Sequence, residues 1–140
     1  MLPSLQAKLK NVLHKEGVNP LDWFNVHPDL LIILDYVIEH CIAHGLLLVV
    51  SSIIRPKIPG ASKTDIHAKG RAFDISVRGW SDEDIQFLCD CINQDLTVGA
   101  ISLRDNIERE AVFEEDEFDK NGKQTKWRHI HFQCAPRKVS

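Results

Sequence analysis

The stretch "TDIHAKGRAFDIS", residues 64–76, joins a polar loop that contains a histidine to an apolar run that contains a carboxylate. Its second half alternates in polarity, which predicts a β-strand with Phe73 and Ile75 on one face. Asp74 then projects from the opposite face, and a carboxylate within an apolar run needs either water or a partner that compensates its charge. His67 precedes this strand on a polar loop that contains glycine, so the stretch directs an imidazole and a carboxylate to one region.

The segment upstream, "DLLIILDYVIEHCIAHGLLLVVSSII" at residues 29–54, is the most apolar part of the chain. Apolar residues recur at the spacing of one buried helix face, Pro28 suits the first helical turn, and Gly45 can cap the end. Residues 46–54 have the length and β-branched composition of a buried strand. Because acidic residues and histidines interrupt the segment, we expect it to form core and no membrane insertion.

The segments downstream predict one more helix and several strands. Residues 81–95, "SDEDIQFLCDCINQD", begin with a serine N-cap and acidic residues, which favour a helix start. Residues 97–103, "TVGAISL", predict a short strand, and residues 110–135 predict two strands joined by the turn "DKNG". Together these elements predict an α+β fold with a small central antiparallel sheet and helices packed on one side.

Composition limits the class of protein. A chain of 140 residues with 44% hydrophobic and 26% charged residues is expected to form a single domain, residues 1–140. The net charge of -3 gives no electrostatic basis for binding nucleic acid. Residues 1–17 predict a short amphipathic helix without the apolar core of a signal peptide, so we expect synthesis in the cytoplasm. The four cysteines are expected to be reduced, although a contact between Cys41 and Cys134 stays open.

The last strand carries a second group of polar side chains. In "WRHIHFQC", residues 127–134, Ile130 and Phe132 predict the buried face, so His129 and His131 emerge together on the other face. A catalytic zinc ion takes three nitrogen or oxygen ligands and leaves its fourth position to water. His67, Asp74 and one histidine of the pair would supply such a set, and the metal would compensate the charge of Asp74.

The order and spacing of these motifs resemble a known family. His67-x-x-Gly70-x-Ala72-x-Asp74, followed by His129-x-His131, resembles the signature of the zinc peptidases that cut peptidoglycan peptides. These are the D-alanyl-D-alanine carboxypeptidases and L-alanyl-D-glutamate endopeptidases, whose zinc site is similar to that of the Hedgehog signalling domain. The resemblance extends from about residue 26 to residue 133, and many members of the family are bacteriophage lysins.

The resemblance implies a role for each matching residue. It implies a Hedgehog-like peptidase fold in which His67, Asp74 and His131 bind Zn²⁺. His129 matches a histidine beside the water that the metal activates. Arg55 follows the predicted strand and matches an arginine that in some members contacts the substrate carboxylate or the developing oxyanion.

This sequence departs from the family at the general base. Members with a glutamate base keep it three residues before the last ligand, where this chain has Arg128, or six residues before it, where this chain has Thr125. Acid–base catalysis therefore falls to His129, to an acid of the run 114–117, or to no residue.

These observations predict a zinc metallopeptidase, either a carboxypeptidase or an endopeptidase, that hydrolyses amide bonds in peptidoglycan stem or cross-link peptides. We expect a monomeric phage lysin that acts at the bacterial cell wall, in the periplasm or as part of a virion. Two alternatives stay open. One is a non-catalytic, zinc-stabilised binding or virion-structural domain, and the other is a D,D-dipeptidase with a metabolic role.

Overall fold

A computed structural model describes residues 1–54, 67, 69–101 and 105–136 of the protein. The helices in these ranges are α1 (Pro3–Leu9), a short 3₁₀-helix (Pro20–Asn25), α2 (Pro28–His44) and α3 (Asp82–Asp95). The strands are β1 (Leu13–His14), β2 (Val49–Ser52), β3 (Ala72–Ser76), β4 (Ala100–Ile101), β5 (Glu108–Arg109), β6 (Ala111–Glu114), β7 (Glu117–Phe118), β8 (Gln124–Lys126) and β9 (His129–Gln133). The protein is therefore α+β, as the sequence predicts.

The central sheet has five strands in the order β1-β2-β3-β9-β6. Its pairs are antiparallel except that β1 runs parallel to β2. The sequence predicts a single amphipathic helix over residues 1–17. This prediction is wrong, because α1 ends at Leu9 and the edge strand β1 follows it. The main-chain N–H of Leu13 donates to the carbonyl of Leu48, and that of Lys15 donates to Val50, so this segment pairs with the sheet.

The caps of the two long helices are as the sequence predicts. Pro28 occupies the first turn of α2, and Gly45 ends this helix in the left-handed region at a φ of 65°. The Ser81 hydroxyl accepts a hydrogen bond of 3.1 Å from the main-chain N–H of Asp84 at the start of α3. These local signals fix where each helix begins or ends.

The hydrophobic core lies between the helices and one face of the sheet. Both α2 and α3 contribute buried apolar residues to the cluster that contains the inward side chains of β3 and β9. Phe73 stacks on Phe132 with the ring centroids 4.8 Å apart, and Trp23 meets Phe73 edge-on at 5.2 Å. The helices thus cover one face of the central strands and leave Asp74 on the other, in agreement with the predicted alternation.

The cysteines are free thiols. Burial raises the pKa of Cys41, Cys89 and Cys134 to about 12, so these thiols stay protonated at neutral pH. Cys41 and Cys134, between which the sequence left a contact open, are both free, so no disulfide joins them.

The sequence predicts two strands over residues 110–135, one in each arm of a hairpin. In the structure each arm is divided into two strands, β6 and β7 in the first arm and β8 and β9 in the second. The tip forms the hairpin β7–β8, and Gly122 supplies a positive φ of 80° at its turn. The bases of the arms form β6 and β9 of the central sheet. The break lies at residues 115–116 and 127–128, where the main-chain N–H of Arg128 donates to the Asp116 carboxylate instead of a strand partner.

In the part of the chain that the structure describes, every helix falls short of a membrane span in length or in hydrophobicity.

Candidate metal centre

The pairing of β3 with β9 brings the predicted ligands together. Asp74 lies directly opposite His131 in this antiparallel pair, and Ser76 lies opposite His129. Directly opposed residues on one face have Cβ atoms only about 4.5–5.5 Å apart. The register therefore places the carboxylate and both histidines on one small area of the face that the helices leave open.

His67 reaches this area from the turn that leads into β3. The main-chain N–H of Gly70 donates to the carbonyl of His67 at 3.0 Å, which closes the turn. Gly70 has a φ of 67°, and an added Cβ there would lie 3.0 Å from the carbonyl oxygen of Asn25. Glycine is needed at this position both for its conformation and for the close approach of the two chain segments.

Three side chains of this area converge on one point. The Asp74 Oδ1 atom lies 2.9 Å from His131 Nδ1 and 3.3 Å from His67 Nε2. One ligand atom from each of the three residues lies within 4.8 Å of the others. Tetrahedral ligands at 2.0–2.2 Å from a zinc ion are about 3.4 Å apart, so the spacing fits such an ion. The described residues thus contain a buried group, His67, Asp74 and His131, that could hold a metal ion.

Hydrogen bonds determine which histidine nitrogen faces this point. The Nδ1 atom of His67 lies 3.0 Å from the carbonyl oxygen of Ile53. Because a carbonyl oxygen only accepts, Nδ1 donates to Ile53, and Nε2 is the nitrogen that faces Asp74. This arrangement suits a metal ligand, since metal-binding histidines usually donate their other N–H to a fixed acceptor.

The charge of Asp74 is stabilised despite its burial. Its exposed fraction is 7%. Burial alone would raise its pKa, but hydrogen bonding to His131 and His67 outweighs this effect and holds the pKa below its usual range. Asp74 is therefore an ionised carboxylate at neutral pH, which is the form that binds a metal ion.

A second acid–imidazole pair lies beside the three residues. The Nε2 atom of His129 lies 3.0 Å from the Glu114 carboxylate and 3.9 Å from Asp74 Oδ2. Burial lowers the pKa of His129, but Glu114 and Asp74 more than offset this and raise it. The bond to His129 in turn lowers the pKa of Glu114. His129 and Glu114 thus lie in hydrogen-bonding contact next to the group that could hold a metal ion.

These residues line an open cleft of about 1320 Å³. Trp127 also lines the cleft and is 69% exposed, so it does not pack into the core. Its carbonyl oxygen lies 2.8 Å from His129 Nδ1, which fixes the orientation of that ring. Lys15 and Lys69 border the same cleft, as do the acidic residues Glu16, Asp22 and Glu108.

Some residues of this site are predicted from the sequence and others are not. His67, Asp74, His129 and His131 lie together, whereas Arg55 falls outside the described residues and its predicted role stays a prediction. Other members of the site were not identified individually: Glu114, Gln133 and the carbonyl of Ile53. The alternation of β9 does place Gln133 on the face of the two histidines, so a signal for it was present.

No protein-family model matches the sequence, and no curated protein and no solved structure is significantly similar to it.

Proposed function

We propose that the protein is a zinc-dependent peptidase with a Hedgehog-like fold that hydrolyses amide bonds in peptidoglycan stem or cross-link peptides. The observation that carries this proposal is the convergence of His67 and His131 on one oxygen of a buried, ionised Asp74. The resemblance of the two sequence motifs to cell-wall zinc peptidases supplies the substrate class. The site of action would be the bacterial cell wall, and the origin a bacteriophage.

The metal would be zinc, held by Nε2 of His67, a carboxylate oxygen of Asp74 and Nδ1 of His131. Two imidazoles and one carboxylate form a donor set that is typical of catalytic zinc. When bound, zinc lowers the pKa of water towards neutrality and polarises a carbonyl oxygen. Three protein ligands would leave a coordination position for water or substrate.

The Glu114–His129 pair would supply acid–base catalysis. Glu114 is an ionised carboxylate that can accept the proton of the attacking water. His129 holds a proton on Nδ1 toward the Trp127 carbonyl and shares another with Glu114 at Nε2. This imidazole is therefore suited to orient the Glu114 carboxylate and to bring positive charge close to the transition state. Glu114 would take the place of the glutamate that the sequence lacks at the family positions.

The open cleft has room for a peptide substrate. Lys15 and Lys69 at its border can bind carboxylates of a stem peptide, either with Arg55 or in its place. Such contacts are made equally in the ground state and the transition state, so they would act mainly on KM.

Incubation of the zinc-loaded protein with purified sacculi tests the proposal. We expect new amino termini, measured by labelling and mass spectrometry of the released fragments, and little cleavage of an all-L protein such as casein. Glu114→Gln should abolish most of the release, whereas Glu83→Gln on the exposed surface of α3 serves as the matched control. If the zinc-loaded protein leaves sacculi and defined muropeptides intact across neutral pH, the enzyme proposal fails and a zinc-stabilised binding domain takes its place.

A further inference from the structure

Gln133 is buried at the end of β9, two residues beyond His131. Its exposed fraction is 5%, although its side chain is a polar amide. The amide nitrogen donates to the carbonyl of Ala100 at 2.9 Å and to that of Arg109 at 3.1 Å. The amide oxygen lies 3.2 Å from Nε2 of His131. A buried amide with every polar atom in contact is expected to have one fixed orientation.

The two carbonyl groups determine this orientation. Carbonyl oxygens only accept hydrogen bonds, so the NH₂ group of Gln133 must face Ala100 and Arg109. A reversed amide would place three carbonyl oxygens together without a donor. The oxygen of Gln133 therefore faces His131, and Nε2 of that ring must carry a proton. The Nδ1 atom faces Asp74 Oδ1, 2.9 Å away, where a bound metal ion would replace the proton that the two atoms otherwise share.

Neighbouring hydrogen bonds hold Gln133 in place. Ala100 and Arg109 are paired residues of β4 and β5, so the amide bridges both strands of this hairpin. The carboxylate of Glu110 accepts from the main-chain N–H of Val98 at 2.9 Å, which fixes the start of the hairpin. The main-chain N–H of Gln133 donates to the carbonyl of Glu110 at 2.8 Å. The hairpin and β9 are thus tied together at the residue that contacts His131.

We infer that Gln133 is a positioning residue that selects Nδ1 of His131 as the metal-binding atom and holds the imidazole in the plane that this binding requires. The inference rests on the metal site of the proposed function. A histidine ligand whose other N–H has a fixed acceptor keeps one tautomer and one ring orientation, and loss of that acceptor costs about 10–100-fold in metal affinity. The β4–β5 hairpin, which contributes no ligand among the described residues, thereby stabilises the metal centre.

Two substitutions separate this role from a general effect on folding. Gln133→Leu removes the acceptor for His131 and the donors to the hairpin. Gln133→Glu also removes the donors but keeps an oxygen that accepts from Nε2. We expect zinc affinity, measured by competition with a chelator, to fall about 10–100-fold in Gln133→Leu and to stay within a fewfold of wild type in Gln133→Glu. Gln86→Leu on the exposed surface of α3 is the matched control.

A second readout reports on the imidazole itself. In the wild type and in Gln133→Glu, NMR should detect a slowly exchanging proton on Nε2 of His131, and this signal should be absent in Gln133→Leu. Equal loss of zinc affinity in both variants overturns the positioning role, since the lost hairpin contacts would then explain it. Wild-type affinity in Gln133→Leu also overturns it, but leaves the metal site standing. A wild-type protein that binds no zinc overturns the metal site and the role of Gln133 together.

Discussion

Replacement of Asp74 by asparagine tests the metal centre most directly. The substitution keeps the size of the side chain but removes the negative charge on which His67 and His131 converge. It leaves the apolar face of β3 unchanged. The response of the protein to zinc should therefore change far more than its fold.

The expected size of this response follows from linkage. Zinc at 100 times its dissociation constant stabilises the folded state by about 2.7 kcal/mol. The unfolding entropy of a 140-residue chain is about 0.29 kcal/mol/K, so the wild-type midpoint should rise by about 9 °C. Loss of a residue that hydrogen-bonds a metal ligand lowers metal affinity by up to about 100-fold. Asp74 is itself a proposed ligand, so its replacement should lower zinc affinity by at least about 100-fold. The same zinc concentration would then stabilise Asp74→Asn by at most about 0.4 kcal/mol, or about 1 °C.

Calorimetry with and without zinc measures both shifts. Each protein is compared with its own metal-free form, so any effect of the substitution on the fold alone cancels. Asp90→Asn, an exposed acid of α3 whose carboxylate accepts only from Gln86 among the contacts described, is the matched control and should respond like the wild type. A full zinc shift in Asp74→Asn would refute the reasoning, because the ion would then bind without the buried carboxylate. His67→Ala and His131→Ala should lose the shift as well.

Two further predictions concern His129 and Glu110. His129→Ala should keep zinc affinity near that of wild type but lose roughly 10²–10⁴-fold in peptidase activity, the usual contribution of acid–base catalysis; loss of zinc would make His129 a ligand instead. Burial raises the pKa of Glu110 above its ordinary value of 4.5, although the N–H groups of Val98 and Gly99 oppose this. The folded protein then binds this proton more tightly than the unfolded chain, so the contribution of Glu110 to stability falls as the pH rises above 4.5. Glu110→Gln should therefore gain stability relative to wild type between pH 4.5 and neutrality, measured by urea unfolding at each pH, and a difference that stays constant with pH would contradict this.

The faces of the site strands could be predicted because side chains of a strand alternate by geometry. The two-residue alternation predicts that Asp74 and both histidines face away from the core, even when the partners of β3 and β9 are not known. The helix ends were equally predictable, since Ser81 and Gly45 act through bonds and dihedral angles within a few residues.

Strand partners and register were not predictable in the same way, because they depend on residues far apart in the chain. The acidic run 114–117 offered several equivalent bases, and only the pairing of Glu114 opposite His129 distinguishes one of them. The edge strand β1 has two residues, which is too short for any alternation to appear. Its parallel pairing with β2 depends on contacts between segments that are distant in the chain.

The side chain of Asn93 on α3 has a consequence for the protein in concentrated solution. Its amide oxygen accepts from the main-chain N–H groups of Glu110 and Ala111 at 3.0 and 2.8 Å, and its nitrogen donates to the Ala111 carbonyl at 3.0 Å. These main-chain groups lie at the β6 border of the central sheet, where the strand of another molecule would otherwise add. One asparagine thus occupies main-chain groups at the start of β6 that would otherwise be free to pair with a strand of another molecule.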